Sequence, residues 1–164
     1  MGTVKGRTVA FDARSLALER SVAAQLQNAL IFAAREQQVV RYCDFHAFFG
    51  DTGTLRWRFE LFDRVIQQLA DPADADYGSL MANSPGLPGP EFLRRYRVFH
   101  ADEYETIVGG NALARPKLAQ RLRIALAERH RVYHHALRQW RNAPEISVWT
   151  QDVPVRTLGS RAKP

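Results

Sequence analysis

The spacing of apolar residues in two long segments constrains the fold of this chain most strongly. In the first segment, apolar side chains recur three or four positions apart, at Leu18, Val22, Leu26, Leu30 and Ala33. Residues at this spacing lie on one face of an α-helix. Asp12 can accept hydrogen bonds from the first free backbone amides, so it is a suitable cap. We therefore expect a long helix from about residue 12 to residue 38.

The second long helical pattern runs from Pro116 to about Trp140. At about 100° per residue, one set of side chains falls on a common face. This set is Leu118, Leu122, Ala125, Leu126, Tyr133, Ala136, Leu137 and Trp140. Arg129 falls in the middle of that apolar face. Because an unpartnered buried guanidinium is costly, we expect a carboxylate or a carbonyl against it.

The segment 39–61 fits two interpretations. Turn residues at 50–53 are followed by alternating apolar and charged side chains up to Leu61, which is typical of a β-hairpin. Apolar residues also follow helical spacing, at Leu55, Phe59, Phe62, Ile66 and Leu69. The helical pattern continues for longer, so a helix capped by Thr54 is favoured. The hairpin would make the fold α+β.

Proline and glycine interrupt the pattern at residues 84–90, which predicts a loop or hinge. Pro90 suits the first turn of another helix, and Gly109 suits its end. Together the patterns predict a mainly α protein, a single-domain bundle of about four to five helices over residues 1–141. Residues 142–164 are expected to form an extended, partly disordered basic tail.

Composition restricts the class of protein. Hydrophobic residues make up 46% and charged residues 24%, which is typical of soluble globular domains. The longest apolar run is 29–34, far below the roughly 20 residues that span a bilayer. Cys43 is the one cysteine, which excludes an internal disulfide and a Cys-rich zinc site. We expect a cytoplasmic protein without a membrane partner.

Positive charge is concentrated towards the carboxyl end. Residues 1–114 carry 12 basic and 14 acidic side chains, whereas residues 115–164 carry 11 basic and 3 acidic ones. Such asymmetry favours a polyanionic partner, either a nucleic acid or an acidic protein surface. Attraction between the two oppositely charged parts would also allow a homo-oligomer.

Two groups of residues are candidates for binding nucleic acid or a protein partner. The first lies on the last helix: Lys117, Arg121, Arg123, Arg131, His135, Arg138 and Arg141. Arginine and histidine donate hydrogen bonds to phosphate, and each phosphate contact releases counterions. The second group is Arg56, Trp57 and Arg58, because cations beside an aromatic ring are common where single-stranded nucleic acid stacks.

Two weaker constellations suggest catalysis or metal binding. The weak catalytic candidates are a thiol, an imidazole and two carboxylates within nine residues: Cys43, Asp44, His46 and Asp51. Such groups can act as nucleophile and base when they share a site. His130 and His134 are four positions apart on a predicted helix, a spacing found among zinc ligands. Phosphate-cradling glycine motifs are absent from the sequence, and no cofactor is predicted.

These observations rank three hypotheses. The favoured one is a small nucleic-acid-associated accessory or regulatory protein that docks through its basic carboxyl-terminal helix. The second is a protein-binding module or inhibitor that uses the same helix against an acidic surface, for example in a nucleic-acid-handling complex. The third is a small enzyme with a site at Cys43, Asp44 and His46. The sequence favours a non-enzymatic role.

Overall fold

Helices form most of this protein. The computed structural model of the chain describes residues 6–110 and 115–141. Within these ranges the helices are α1 (Gly6–Arg35), α2 (Tyr42–Ala47), α3 (Leu55–Leu69), α4 (Pro90–Phe99), α5 (Ala101–Val108) and α6 (Leu118–Gln139). The mainly α prediction is confirmed. The predicted tail at 142–164 lies outside the described residues. No helix in the described ranges is long and apolar enough to cross a membrane.

The principal core lies among α1, α3 and the second half of α6. From α1 it takes the predicted face, including Leu26 and Leu30, although Leu18 is exposed. Phe62 and Ile66 of α3 enter the same cluster, as does Val132 of α6. Burial of these apolar side chains is the main force that holds the helices together.

The segment 39–61 forms no hairpin. Val40–Arg41 is a short strand, β1, and it pairs in parallel with β2 at Met81–Ala82. The chain then turns into α2 and, after a loop, into α3. The Thr54 hydroxyl caps α3 by accepting a hydrogen bond from the Trp57 backbone N–H at 3.2 Å. The helix is preferred because its apolar face continues beyond residue 61 to Leu69, whereas a strand would end that burial early.

A second, smaller core forms where α4 and α5 meet the first half of α6. Its members are Phe92, Tyr96, Tyr104, Ile124 and Ala125. Pro90 occupies the first turn of α4, as predicted. The helix expected from Pro90 to Gly109 is interrupted at His100, whose φ of −128° and ψ of 49° are not helical. Gly109 ends α5 with a φ of 89°, a conformation that glycine adopts at little cost.

The buried face of α6 is rotated from the predicted one. Leu118, Leu126 and Leu137 were placed inside by the spacing, but they are 52%, 54% and 42% exposed. Arg129 is buried as predicted, between Ala125 and Val132 on the adjacent turns, but the neighbouring Glu128 is buried as well. The prediction was wrong for the three leucines and for Glu128. Burial of Glu128 is tolerated because the Asp76 backbone N–H and the Arg131 guanidinium donate to its carboxylate.

Buried polar groups separate the two cores. The Asp76 backbone N–H donates to Glu128 Oε1 at 2.7 Å. Arg95 Nε donates to Asp76 Oδ2, also at 2.7 Å. Burial raises the pKa of Glu128. This polar layer fixes the register of α6 against the loop before the 3₁₀ turn at Tyr77–Leu80.

Candidate functional site

Arg129 is anchored on the inner side of α6. Its guanidinium donates to three backbone carbonyls, of Ser79 at 2.8 Å, of Met81 at 3.4 Å and of Gly86 at 2.9 Å. The expected carbonyl partner is confirmed. Burial lowers the pKa of Arg129. The residue ties α6 to the 84–90 loop and is not exposed for binding a partner.

Arg131 is also engaged within the protein. Its guanidinium forms ion pairs with Glu128, at 2.8 Å, and with Glu103 of α5. It lies 5.9 Å from the centroid of the Tyr96 ring, a cation–π distance. Although Arg131 is a sequence-predicted binding residue, its positive charge is balanced by two carboxylates.

His135 faces the core too. Its Nδ1 lies 3.1 Å from the Tyr77 hydroxyl, and its ring meets Trp140 edge-on with 5.5 Å between centroids. Burial lowers the pKa of His135, which keeps the imidazole neutral to lower pH than usual. Like Arg129 and Arg131, it belongs to the inner side of α6.

A different set of basic residues lies on the outer side of α6. This outer face consists of Arg123, His130, His134, Arg138 and Arg141, all of them exposed. Intervals of seven, four and four positions place Arg123, His130, His134 and Arg138 along one side of α6. Arg141 follows two residues after the helix ends at Gln139. In residues 6–110 and 115–141, none of the three arginine side chains has a hydrogen bond or ion pair. The outer face therefore presents its positive charge to solvent.

The carboxyl-terminal helix contains no competing exposed carboxylate. Glu128 is the one acidic residue of α6, and it is fully buried. Lys117 is exposed at the amino-terminal cap, while Arg121 is half-buried, with a buried Nε that has no partner among the described residues. Lys117 extends the positive charge along the helix, whereas Arg121 contributes less because it is partly covered.

The residues at the start of α3 are held by their own loop. Arg56 pairs with Glu60 at 2.7 Å on the surface. Arg58 donates to the carbonyls of Gly50 at 3.0 Å and Thr52 at 2.9 Å. Trp57 is half-buried and meets the Phe49 ring edge-on at 5.6 Å. These contacts occupy side chains that were candidates for stacking on bases, and they lie on a different helix from the outer face.

The proposed catalytic cluster is not assembled. The Asp44 carboxylate accepts two hydrogen bonds from Arg41, at 2.8 and 3.0 Å. The exposed Cys43 has its Sγ 3.7 Å from Asp44 Oδ1. The His46 ring lies against Phe45 and Phe59, with 5.0 and 6.0 Å between centroids, and its buried Nδ1 has no partner in the described structure.

The helical form of α2 explains this separation. Asp44 and His46 are two positions apart, so in a helix they point in different directions. Asp51 lies beyond the helix and is exposed. Burial lowers the pKa of His46, and the nearby Arg58 adds to the effect. Cys43 and Asp44 are therefore in contact, whereas His46 lies among the Phe45 and Phe59 rings.

The histidine pair retains its predicted geometry but has few further ligands. His130 and His134 are both exposed on α6, one turn apart. Among the residues that the structure describes, no group of three or more His, Cys, Asp or Glu could hold a metal ion.

The sequence signals missed the buried polar layer. Glu128 and Asp76 lie 52 positions apart, and nothing in the spacing of either segment indicates that they meet. The one usable signal was that Glu128 directly precedes Arg129 near the apolar face.

Comparison with protein-family models, with curated proteins and with solved structures finds no match to this chain.

Proposed function

We propose that the protein binds the phosphate backbone of nucleic acid through the outer face of α6. The observation that carries this proposal is that Arg123, Arg138 and Arg141 are exposed and that their side chains are unpaired within the described residues. The first two lie on α6 and the third just after it, and the one carboxylate of this helix is buried. Arginine binds phosphate oxygens through a fork of N–H donors.

The helix is a rigid support for these residues. Its inner side is fixed by the three carbonyl contacts of Arg129 and by the ion pairs of Arg131. Val132 and Ala136 are fully buried in the principal core. A preorganised helix loses little conformational entropy on binding, so more of the electrostatic attraction contributes to affinity.

The chemistry of the outer face favours binding without sequence preference. It offers guanidinium and imidazole groups, which donate to phosphate, and its five residues include no Phe, Tyr or Trp. Such phosphate contacts position a protein on nucleic acid and carry little sequence information. We expect an accessory role in which affinity depends strongly on salt.

The exposed leucines of α6 favour a second candidate, an acidic protein surface. Leu126 and Leu137 are 54% and 42% exposed and lie beside the outer-face arginines. An apolar contact rimmed by positive charge would suit a partner helix with carboxylates at its edge. Nucleic acid has no equivalent need for the leucines, which separates the two candidates.

The test is a fluorescence titration against single-stranded DNA, duplex DNA and RNA at several salt concentrations. The variant Arg123→Ala/Arg138→Ala/Arg141→Ala should reduce the slope of log K against log salt by roughly two to three. The matched control Arg14→Ala/Arg20→Ala/Arg94→Ala removes the same charge from exposed positions on α1 and α4. It should leave most of the slope in place.

Two outcomes would contradict the proposal. One is that no nucleic acid binds at low salt. The other is that both triple variants weaken binding equally, because net charge alone would then account for the affinity. A Leu126→Ser/Leu137→Ser variant should bind nucleic acid like the wild type, whereas a protein partner would be lost with these leucines.

A further inference from the structure

A cleft of about 370 Å³ opens between α2, α3 and α4, away from the outer face of α6. Its walls are mainly apolar and aromatic, formed by Tyr42, Phe59, Phe62, Met81 and Phe92. This volume and this lining are typical of sites for small organic ligands. No residue of α6 lines the cleft, so it is independent of the proposed nucleic-acid surface.

The cleft has one polar end, where Arg95 is held by a buried carboxylate. Arg95 Nε donates to Asp76 Oδ2 at 2.7 Å, and Nη2 lies 3.3 Å from Asp76 Oδ1. Gly78 makes this approach possible, because a Cβ at that position would lie 2.3 Å from Arg95 Nη2. The positive charge of Arg95 is therefore largely balanced by Asp76, which is itself buried.

The carboxylate of Asp63 also lines the cleft and can accept a hydrogen bond from a ligand there. One of its oxygens, Oδ1, lies 3.3 Å from Arg95 Nη1, a long contact, and its side chain is 41% exposed. Glu91 also lines the cleft and pairs with Arg94. The charged residues that line the cleft are Asp63, Glu91 and Arg95, so its polar end has one more carboxylate than arginine. Burial raises the pKa of Asp63, although its contact with Arg95 acts in the opposite direction.

The aromatic walls suit a ring as well as a cation. The rings of Tyr42 and Phe59 lie 6.3 Å apart with a 58° tilt. Gly89 allows the Tyr42 hydroxyl to approach the backbone, since a Cβ there would lie 2.7 Å from that oxygen. Aromatic faces attract both apolar rings and ammonium groups.

We infer that this cleft binds a small aromatic amine, whose ammonium group pairs with the Asp63 carboxylate while its ring lies among Tyr42, Phe59 and Phe92. The negative excess at the polar end selects the amine over a carboxylate of the same shape. The aromatic walls select it over an inorganic cation or a purely polar amine. The site belongs to the same helical domain as α6 but does not depend on nucleic-acid binding.

Calorimetry and NMR with three matched probes test this inference. The probes are phenethylamine, 2-phenylethanol and phenylacetate, which share a ring and a chain but differ in charge. We expect phenethylamine to bind most tightly and phenylacetate to bind most weakly. In the NMR spectrum, the Met81 methyl and the Phe59 ring should shift on titration with phenethylamine, because both line the cleft.

A charge-removing variant sharpens the test. Asp63→Asn should weaken phenethylamine binding by about tenfold, the effect of losing a charge-assisted hydrogen bond. It should leave 2-phenylethanol binding nearly unchanged. Asp51→Asn, at an exposed position outside the cleft, is the matched control. A melting curve shows whether each variant is folded.

Several results would overturn the inference. Binding of phenylacetate as tight as that of phenethylamine would show that the charge argument is wrong. Absence of binding by all three probes at millimolar concentration, or shifts confined to residues outside the cleft, would show that it is no ligand site. If Asp63→Asn does not fold, the probe order and the positions of the shifts in the wild type decide the question.

Discussion

The two sides of α6 carry similar basic side chains, but those on the inner side are bonded within the protein and those on the outer side are exposed. On the inner side, Arg129 donates to three carbonyls and Arg131 pairs with two carboxylates. On the outer side, Arg123 and Arg138 are exposed, with no hydrogen bond or ion pair inside the described ranges. The inner arginines complete the fold, whereas the outer ones are available to a partner.

The comparison shows that the arginines counted in a sequence serve two roles, which are to complete the fold and to present charge to a partner. The high arginine content of the carboxyl-terminal third predicts a polyanionic partner when all of its charges are counted together. Part of that content is used inside the protein. The buried guanidinium of Arg129 needs acceptors, and the carbonyls of Ser79, Met81 and Gly86 need donors. Only the outer arginines support the binding hypothesis.

The largest expected effect is that of removing Arg129. Arg129→Ala leaves three carbonyls without their donor and creates a space beside the 84–90 loop. The free energy of unfolding should fall by about 3 kcal/mol. Chemical denaturation measures this change. The matched outer variant Arg123→Ala should change the same quantity by no more than about 0.5 kcal/mol. Equal losses in the two variants would remove the distinction between the two sides.

Local features of the fold could be predicted from the sequence. The cap at Thr54, the start of α4 at Pro90 and the carbonyl environment of Arg129 all followed from residues close in the chain or from a general cost of burial. Each of these depends on helical periodicity, proline geometry or desolvation, which act at short range.

Contacts between distant segments could not be predicted in this way. The pairing of Val40 with Met81 and of Arg131 with Glu103 joins residues that no periodicity relates. The rotation of the buried face of α6 follows from such contacts, because Glu128 is satisfied by the Asp76 backbone. The cleft was not predicted for the same reason, because its residues Asp63 and Arg95 lie 32 positions apart.

The next prediction concerns two half-buried histidines, His100 between α4 and α5 and His135 on α6. Burial lowers the pKa values of His100 and His135 in the folded protein. The unfolded chain therefore binds protons at higher pH than the folded one. The stability that these two histidines contribute is fully present above the ordinary histidine pKa of about 6.5, and it is lost as the pH falls below that value. Denaturation at about pH 7.5 and about pH 5.5 should show this loss.

A substitution at His135 identifies its share of that acid sensitivity. His135→Phe keeps a ring against Trp140 but cannot be protonated, so the difference in stability between the two pH values should shrink. The variant also loses the Tyr77 contact, so it is compared with itself at both pH values. The raised pKa values of Glu128 and Asp63 act in the opposite direction, so the comparison between the two proteins decides the question. Equal changes in the wild type and in His135→Phe would contradict the assignment of a buried, neutral His135.

A smaller effect is expected from Arg58 at the start of α3. Arg58→Ala removes donors to the carbonyls of Gly50 and Thr52 and a cation–π contact with Phe49 at 5.3 Å. These carbonyls lie near the surface, where water replaces part of the lost bonds, so the free energy of unfolding should fall by about 1 kcal/mol. Thermal and urea denaturation both measure it. No loss would show that the loop does not need the guanidinium.

The smallest effect is expected two positions earlier, at Arg56. This residue forms an i,i+4 pair with Glu60, and both side chains are more than half exposed. Solvent-exposed pairs of this type contribute about 0.3–0.5 kcal/mol, and salt screens them. Arg56→Ala should therefore change the free energy of unfolding by less than Arg58→Ala at low salt, and hardly at all at high salt. If Arg56→Ala proved the more destabilising variant, hydrogen bonds to backbone carbonyls would not be what separates structural arginines from available ones, at α3 or on α6.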